Sequence, residues 1–198
     1  RFYYSAKMKK DQYNFSDEET NPYFNIDSVL INGIFYAANK VYGLTFKERH
    51  DLPTYHPDMK VFDVIDNNGK QLAILYCDYF RRPTKRGGAW MSAFAKQSGL
   101  RQQLPIIYNV CNYAKAPQGQ PTLVTWDEVT TMFHEFGHAL HGMLSNCYYN
   151  TLSGTSVARD FVEMPSQFNE TFASVPEVFN NYAKHYKTNE PMPAELRD

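Results

Sequence analysis

The first part of the chain contains two stretches of helical character. The spacing of Tyr and Phe within 1–20 predicts the end of a helix. Apolar residues then recur every three or four positions over 26–42, which is the period of one helix face. Asp27 or Ser28 is placed to cap the start of this second helix, and Gly43 is placed to end it. We expect this second helix to pack in the core and to carry no chemistry.

A β-rich region follows these helices. Its apolar runs are separated by turn signals, and Asn68-Gly69 lies between the first two runs, which is typical of a β-hairpin. The basic stretch 81–88 predicts a flexible, solvated loop. We therefore expect a small sheet over about 59–115. Its predicted strands cover 61–65, 71–79, 89–94 and 105–113.

A strong helix signal comes directly after the predicted sheet. Thr125 and Glu128 have the spacing of a capping box, so a helix is expected over about 126–145. One face of this helix is apolar and is expected to pack in the interior. The residues of this apolar stripe are Val129, Met132, Phe136, Leu140 and Met143.

The same helix contains the pattern H-E-x-x-H, formed by His134, Glu135 and His138. Residues four apart share one helix face, so the two histidines are expected to bind one metal ion together. The apolar stripe lies nearly opposite them, which argues against ordinary core histidines. Glu135 lies about 100° around the axis, where it can reach a water at the metal. This pattern predicts one catalytic Zn²⁺ per chain, with Glu135 as the general base.

A catalytic zinc site usually takes three protein ligands, so a third ligand is needed. A second helix is predicted over 158–174, with a kink at Pro165, and it carries Glu163. Glu163 can approach the ion from the side. His141 lies three residues beyond His138 on the same helix and could reach the ion only if that helix broke. Geometry therefore favours Glu163, with His141 as the less favoured ligand.

The second helix also supplies groups that can support the ligands. A ligating imidazole commonly donates its other ring N–H to a carboxylate, a carbonyl or water. The candidates on this helix are Asp160, Gln167 and Glu170. Their spacing alone does not choose among them.

Composition limits the class of protein. The chain has 198 residues, of which 43% are hydrophobic and 16% aromatic, as expected for a folded globular protein. A formal net charge of -1 gives no reason to expect a nucleic-acid or membrane partner, and no apolar stretch is long enough to span a bilayer. No stretch has the pattern of a signal peptide, and the cysteines form no C-x-x-C pair. These features favour a cytoplasmic protein with reduced thiols.

Three segments carry a resemblance to a known family. They are FHEFGHALHG (133–142), GTSVARDFVEMPSQFNE (154–170) and DYFRRPTKRGGAWMSAF (78–94). Together they resemble the thimet oligopeptidase and peptidyl-dipeptidase family of zinc metallopeptidases, and RGGAWMS is more similar to its bacterial peptidyl-dipeptidase branch. The resemblance implies that His134, His138 and Glu163 bind zinc. It also implies that Glu135 is the general base.

The resemblance has consequences for the fold. The expected fold class is mainly α with a small β-sheet, an α+β arrangement, and 1–198 is expected to be part of a single zincin-like catalytic domain. Family members are much longer, and a later segment of theirs supplies a histidine and tyrosines that bind substrate. The chain is therefore expected to be an internal piece of a longer enzyme, with the missing remainder as a partner. Apolar surfaces meant for that remainder would favour a dimer of the isolated piece.

The expected reaction is zinc-dependent hydrolysis of short peptides, with release of C-terminal dipeptides. An extended peptide is expected to add to a strand edge near 87–91, with Gly88, Ala89 and Trp90 as substrate-binding residues. The alternative for this stretch is an ordinary sheet edge. The alternative for the whole chain is a fragment that binds zinc or peptide without being catalytically competent.

Overall fold

The computed structural model of the protein describes residues 17–197 together with Tyr4 and Met8. Most of the helix end predicted within 1–20 lies outside the described residues. A short helix, α1 (Asp17–Thr20), and a 3-10 turn (Asn21–Tyr23) open the continuous part.

The helix predicted over 26–42 is present, but it is not uniform. It consists of α2 (Ile26–Ser28), a π-helical segment (Val29–Phe35) and α3 (Tyr36–Tyr42). Gly43 ends it in the left-handed conformation, with a φ of 69°, as predicted. The predicted cap is wrong, because the side chain of Asn25, rather than that of Asp27 or Ser28, accepts a hydrogen bond from the Asp27 N–H. Asn25 directly precedes the first helical residue, which is the position from which a side chain caps a helix.

Five strands form one mixed sheet. They are β1 (Thr45–Arg49), β2 (Lys60–Ile65), β3 (Gln71–Phe80), β4 (Trp90–Ala95) and β5 (Ile106–Tyr113), in the order β1-β2-β3-β5-β4. The strands β2 and β3 form the predicted antiparallel hairpin. The strand β5 runs parallel to β3, whereas β4 runs antiparallel to β5. β5 therefore lies inside the sheet, and β4 forms one of its edges.

The edge strand β1 was missing from the predicted sheet. Its sequence, TFKER, is mostly polar and lacks a convincing strand signal. It pairs along its whole length with β2, and its Phe46 ring stacks on Phe35 with the ring centroids 3.8 Å apart. A tertiary contact with the preceding helical segment therefore helps to hold this strand, which extends the sheet beyond the predicted span.

The long helix α4 (Trp126–Met143) packs across one face of the sheet. It begins with the predicted capping box, in which Thr125 and Glu128 each bond the other's backbone N–H. The hydroxyl of Tyr113 donates to the carbonyl of Glu128 at 2.9 Å, near the start of α4. At its other end, a Cβ on Gly142 would lie 2.9 Å from Ile107. The helix thus runs antiparallel to β5. All five residues of the predicted apolar stripe are buried.

The second predicted helix is broken into shorter pieces. They are α5 (Arg159–Val162), α6 (Met164–Glu170) and a 3-10 turn (Thr171–Ser174), followed by α7 (Pro176–Tyr182) and α8 (Ala194–Arg197). The break falls at Glu163, not at the predicted kink at Pro165. Pro165 lies in the first turn of α6, where its missing N–H costs nothing because no helical acceptor exists there.

The described residues form a mixed α+β structure, as predicted, with a five-stranded sheet and several helices. Across this described part, no helix has both the length and the apolar character needed to span a bilayer. That 1–198 belongs to one domain stays a prediction.

Candidate metal centre

The helix α4 presents two imidazoles on one face. The rings of His134 and His138 have centroids 4.9 Å apart, and their side chains are 26% and 12% exposed. Burial lowers the pKa of His138 below its ordinary value. This favours the neutral imidazole, which is the form that binds a metal.

Glu163 lies at the junction between α5 and α6, facing the two histidines. Its Oε2 atom is 3.1 Å from Nε2 of His134 and 3.0 Å from Nε2 of His138. The three groups offer ligand atoms that all lie within 4.8 Å of one another. Tetrahedral ligands at about 2.0–2.1 Å from a zinc ion lie about 3.3 Å apart, so the three side chains fit such an ion.

His141 does not join this group. The cluster of potential metal ligands found among the described residues contains His134, His138 and Glu163 but not His141. The His141 ring instead packs edge-on against Phe161, with the centroids 6.2 Å apart. One further turn of an unbroken helix carries His141 past the point where the other two imidazoles meet Glu163.

Glu135 points into the interior beside the histidines and is 6% exposed. Burial raises the pKa of Glu135 to about 7, with the charge of Glu163 adding to the rise and His134 opposing it. Its Oε2 atom is buried and has no hydrogen-bond partner among the described residues. A buried carboxylate with a free oxygen and a pKa near neutrality has the properties of a general base.

Hydrogen bonds with two residues, Glu170 and Ser166, hold the candidate ligands in place. Oε1 of Glu170 lies 2.5 Å from Nδ1 of His134, on the opposite ring nitrogen from Glu163. The Oγ atom of Ser166 lies 2.8 Å from the Glu163 carbonyl and 3.0 Å from its Oε2. The other two candidates for supporting an imidazole, Asp160 and Gln167, have exposed side chains.

The stretch leading into β4 is a mostly exposed loop, as predicted for 81–88, but two of its side chains bond a buried carboxylate. The Lys85 side chain is 3% exposed, and its Nζ lies 3.0 Å from Oδ1 of the buried Asp78. Arg82 bonds the same carboxylate through both terminal nitrogens. Asn112 donates to the carbonyl of Gly88 at 2.7 Å. A buried acid on β3 and an amide on β5 therefore anchor the loop.

The candidate substrate-binding residues lie at the start of the edge strand β4 and just before it. Trp90 pairs with Val110, which lies on β5 between Ile107 at one end of the helix and Tyr113 at the other. Gly88, just before the strand, has a φ of 93° and an exposed backbone. The next residue along β4, Met91, has its side chain close to Gly142 near the end of α4.

Comparison with known proteins places this arrangement in a family. Residues 1–198 match peptidase family M3. The chain belongs to this family. Membership of peptidase family M3 confirms the resemblance to the oligopeptidases and peptidyl-dipeptidases that the three segments indicated.

Several M3 relatives are similar over almost the whole chain. The dipeptidyl carboxypeptidase of Salmonella typhimurium is 48% identical over 99% of this chain, and the oligopeptidase A of Escherichia coli is 43% identical over 99%. The organellar oligopeptidase A of Arabidopsis thaliana is 35% identical over 98%. The chain spans 29% of the length of each of the two bacterial relatives.

Sequence reasoning missed several residues that shape this M3 site. Ser166 follows Glu163 by three positions, a spacing at which a hydroxyl can reach back, and this signal could have identified it. Gly137 and Asn169 gave no local signal, because they lie where two helices that are distant in sequence touch.

Proposed function

We propose that this chain carries the zinc ligands and the general base of a peptidase that hydrolyses short peptides, and that the complete protein releases C-terminal dipeptides. The observation that carries the proposal is the convergence of His134, His138 and Glu163 beside the buried Glu135. Membership of peptidase family M3 supports peptide hydrolysis. The 48% identity to a dipeptidyl carboxypeptidase supports dipeptide release over internal cleavage.

Two imidazoles and one carboxylate form a donor set that suits Zn²⁺ and leaves one position for water or substrate. We assign His134, His138 and Glu163 as the ligands of one ion per chain, in a zincin-like arrangement. When bound there, zinc polarises a carbonyl and lowers the pKa of water. Glu170 holds the His134 ring so that Nε2 faces the Glu163 carboxylate, where the ion would bind, and Ser166 holds that carboxylate.

Glu135 transfers the proton in this proposal. Its carboxylate takes a proton from the water whose oxygen attacks the scissile carbonyl carbon. When the C–N bond breaks, the same group delivers that proton to the leaving nitrogen. The interior position of Glu135 keeps bulk water from competing for the proton.

The edge strand β4 is the proposed platform for the peptide. An extended peptide that adds to the edge at Gly88, Ala89 and Trp90 gains backbone hydrogen bonds without regard to its sequence. The contact of Met91, on this strand, with Gly142 of α4 supports a peptide path beside the helix that carries Glu135. The alternative is an ordinary sheet edge with no bound peptide.

A second candidate function is binding of zinc or peptide without hydrolysis. Large apolar side chains are exposed near the candidate centre, with Phe161 at 45%, Met164 at 51% and Phe168 at 56%. Apolar patches of this kind normally pack against another surface. A chain without that surface would keep the ligands but lack part of the groups that stabilise a tetrahedral intermediate.

Metal content and hydrolysis of a short quenched-fluorescence peptide, measured on the full-length protein and on the 198-residue chain, test these proposals. We expect one zinc per molecule in both, and its loss in Glu163→Ala but not in Glu177→Ala, which changes an exposed glutamate at 63% exposure. Zinc and hydrolysis in the full-length protein, with zinc alone in the short chain, would support the second function for the isolated chain. Retention of stoichiometric zinc by Glu163→Ala would refute the ligand assignment.

A further inference from the structure

The helix α6 crosses α4 at unusually short range. A Cβ at Gly137 would lie 2.6 Å from the Ser166 Cα, 2.8 Å from the Asn169 Cβ and 2.9 Å from the Pro165 carbonyl oxygen. Two of these are backbone atoms, which cannot rotate away. Only glycine therefore permits this crossing, and Gly137 is the residue directly before the ligand His138.

A buried hydrogen bond links the two helices at the same crossing. The Nδ2 atom of Asn169, which is 6% exposed, donates to the carbonyl of Phe133 at 2.6 Å. In a regular helix this carbonyl also accepts the N–H of Gly137, so the bond joins α6 to the turn of α4 that carries His134. No other side-chain hydrogen bond described for α6 reaches a backbone atom of α4.

The crossing sets the positions of two carboxylates. Glu163 directly precedes α6 and Glu170 ends it, so both groups that face the His134 ring belong to one short segment. Asn169 lies between Glu163 and Glu170 in the sequence, and its side chain bonds the backbone of α4. A small sliding movement of α6 along α4 would change the distances from both carboxylates to the imidazole at once.

We propose that Asn169 is a positioning residue of the metal centre: its bond to the Phe133 carbonyl, across the contact that Gly137 permits, sets the distance between Glu163 and the two histidines. The proposal rests on the proposed zinc ligands. Asn169 is not itself a proposed ligand, and it acts by fixing the position of α6 against α4.

The test is the zinc dissociation constant of Asn169→Leu in the full-length protein, measured by competition with a chelator. Asn181→Leu is the matched control, because Asn181 also donates its amide to a backbone carbonyl of another helical segment, that of Asn32, at 2.7 Å, and bonds no described residue of α4 or α6. We expect the constant to rise about 10-fold for Asn169→Leu and to stay within about 2-fold for Asn181→Leu. The visible spectrum of the Co²⁺-substituted protein should change only in Asn169→Leu.

An unchanged zinc constant and Co²⁺ spectrum in folded Asn169→Leu would overturn the positioning role while leaving the ligands in place. Unaltered zinc binding by Glu163→Ala, measured in parallel, would instead overturn the proposed function. If Asn169→Leu does not fold, Asn169→Ala takes its place with the same two outcomes. Gly137→Ala, which separates the helices by another route, should weaken zinc binding at least as much.

Discussion

Glu170 and His134 meet through the ring nitrogen that faces away from Glu163, with Oε1 2.5 Å from Nδ1. This contact selects one tautomer, in which Nδ1 carries the proton and Nε2 presents its lone pair to the candidate ion. The carboxylate that orients the ring and the carboxylate of Glu163, which faces both histidines, therefore lie at the two ends of the same short helix.

Glu170→Gln should weaken zinc binding without removing it. The amide can still accept the ring proton through its oxygen, but it lacks the negative charge that makes the imidazole a stronger ligand. We expect the zinc dissociation constant to rise about 10- to 100-fold. Calorimetric or chelator competition measures it, with Glu177→Gln as a control that changes a carboxylate bonded to Tyr36 on the surface. Equal affinities in the two variants would contradict the orienting role.

Glu135→Gln should abolish turnover while zinc stays bound. The amide cannot accept a proton, so kcat is expected to fall by at least about 10²–10⁴-fold. Peptide hydrolysis and zinc content are measured on the same preparation, beside Glu48→Gln, which changes an exposed glutamate on β1. Normal turnover in Glu135→Gln would show that another group accepts the proton.

Asp78→Asn should destabilise the anchored loop that leads into β4. Burial alone would raise the pKa of Asp78, but hydrogen bonds from Arg82, Lys85 and Tyr55 outweigh it and hold the pKa below its ordinary value. The variant leaves the buried Lys85 ammonium without its counter-charge, which costs about 3 kcal/mol of unfolding free energy at pH 7. Urea unfolding measures this cost.

The lowered pKa of Asp78 predicts that the unfolding free energy depends on pH. A carboxyl whose pKa is lower in the folded state stabilises the protein above its unfolded pKa of about 3.9 and loses that contribution as the pH falls further. Unfolding free energy should therefore fall below about pH 4 in the wild type and less steeply in Asp78→Asn. The exposed pair of Asp27 with Lys60 provides the control, since Asp27→Asn should cost at most about 1 kcal/mol. Parallel curves for wild type and Asp78→Asn would contradict the prediction.

Gly88→Ala tests the proposed peptide platform. The φ of 93° at Gly88 is strained for alanine, and nothing within 4 Å would meet the added Cβ, so the change acts through the backbone alone. We expect KM to rise about 10-fold, which equals about 1.4 kcal/mol of lost binding, with kcat nearly unchanged. Gly119→Ala is a close control, with a φ of 84° and an equally open surrounding, in the loop before α4. Equal KM values in both variants would favour an ordinary sheet edge.

Features that depend on neighbouring residues were predictable from the sequence. The capping box at Thr125 and Glu128, the buried stripe of α4 and the hairpin at Asn68-Gly69 all rest on contacts within a few positions. Helix periodicity brings His134 and His138 together in the same way. The β1 strand escaped prediction because its polar sequence is held by pairing with β2 and by a ring contact with Phe35.

The sequence by itself therefore determined which helix carries the histidines and which residue types surround them, because those properties follow from helical spacing. The tertiary structure alone decided that Glu170, rather than Asp160 or Gln167, orients His134, since that choice depends on how two helices meet across 36 positions of chain. The tertiary structure also has the helix break at Glu163 rather than at Pro165, and it brings α6 close to α4 at Gly137. A crossing between helices that are distant in sequence depends on packing in three dimensions, so no local sequence pattern predicts it.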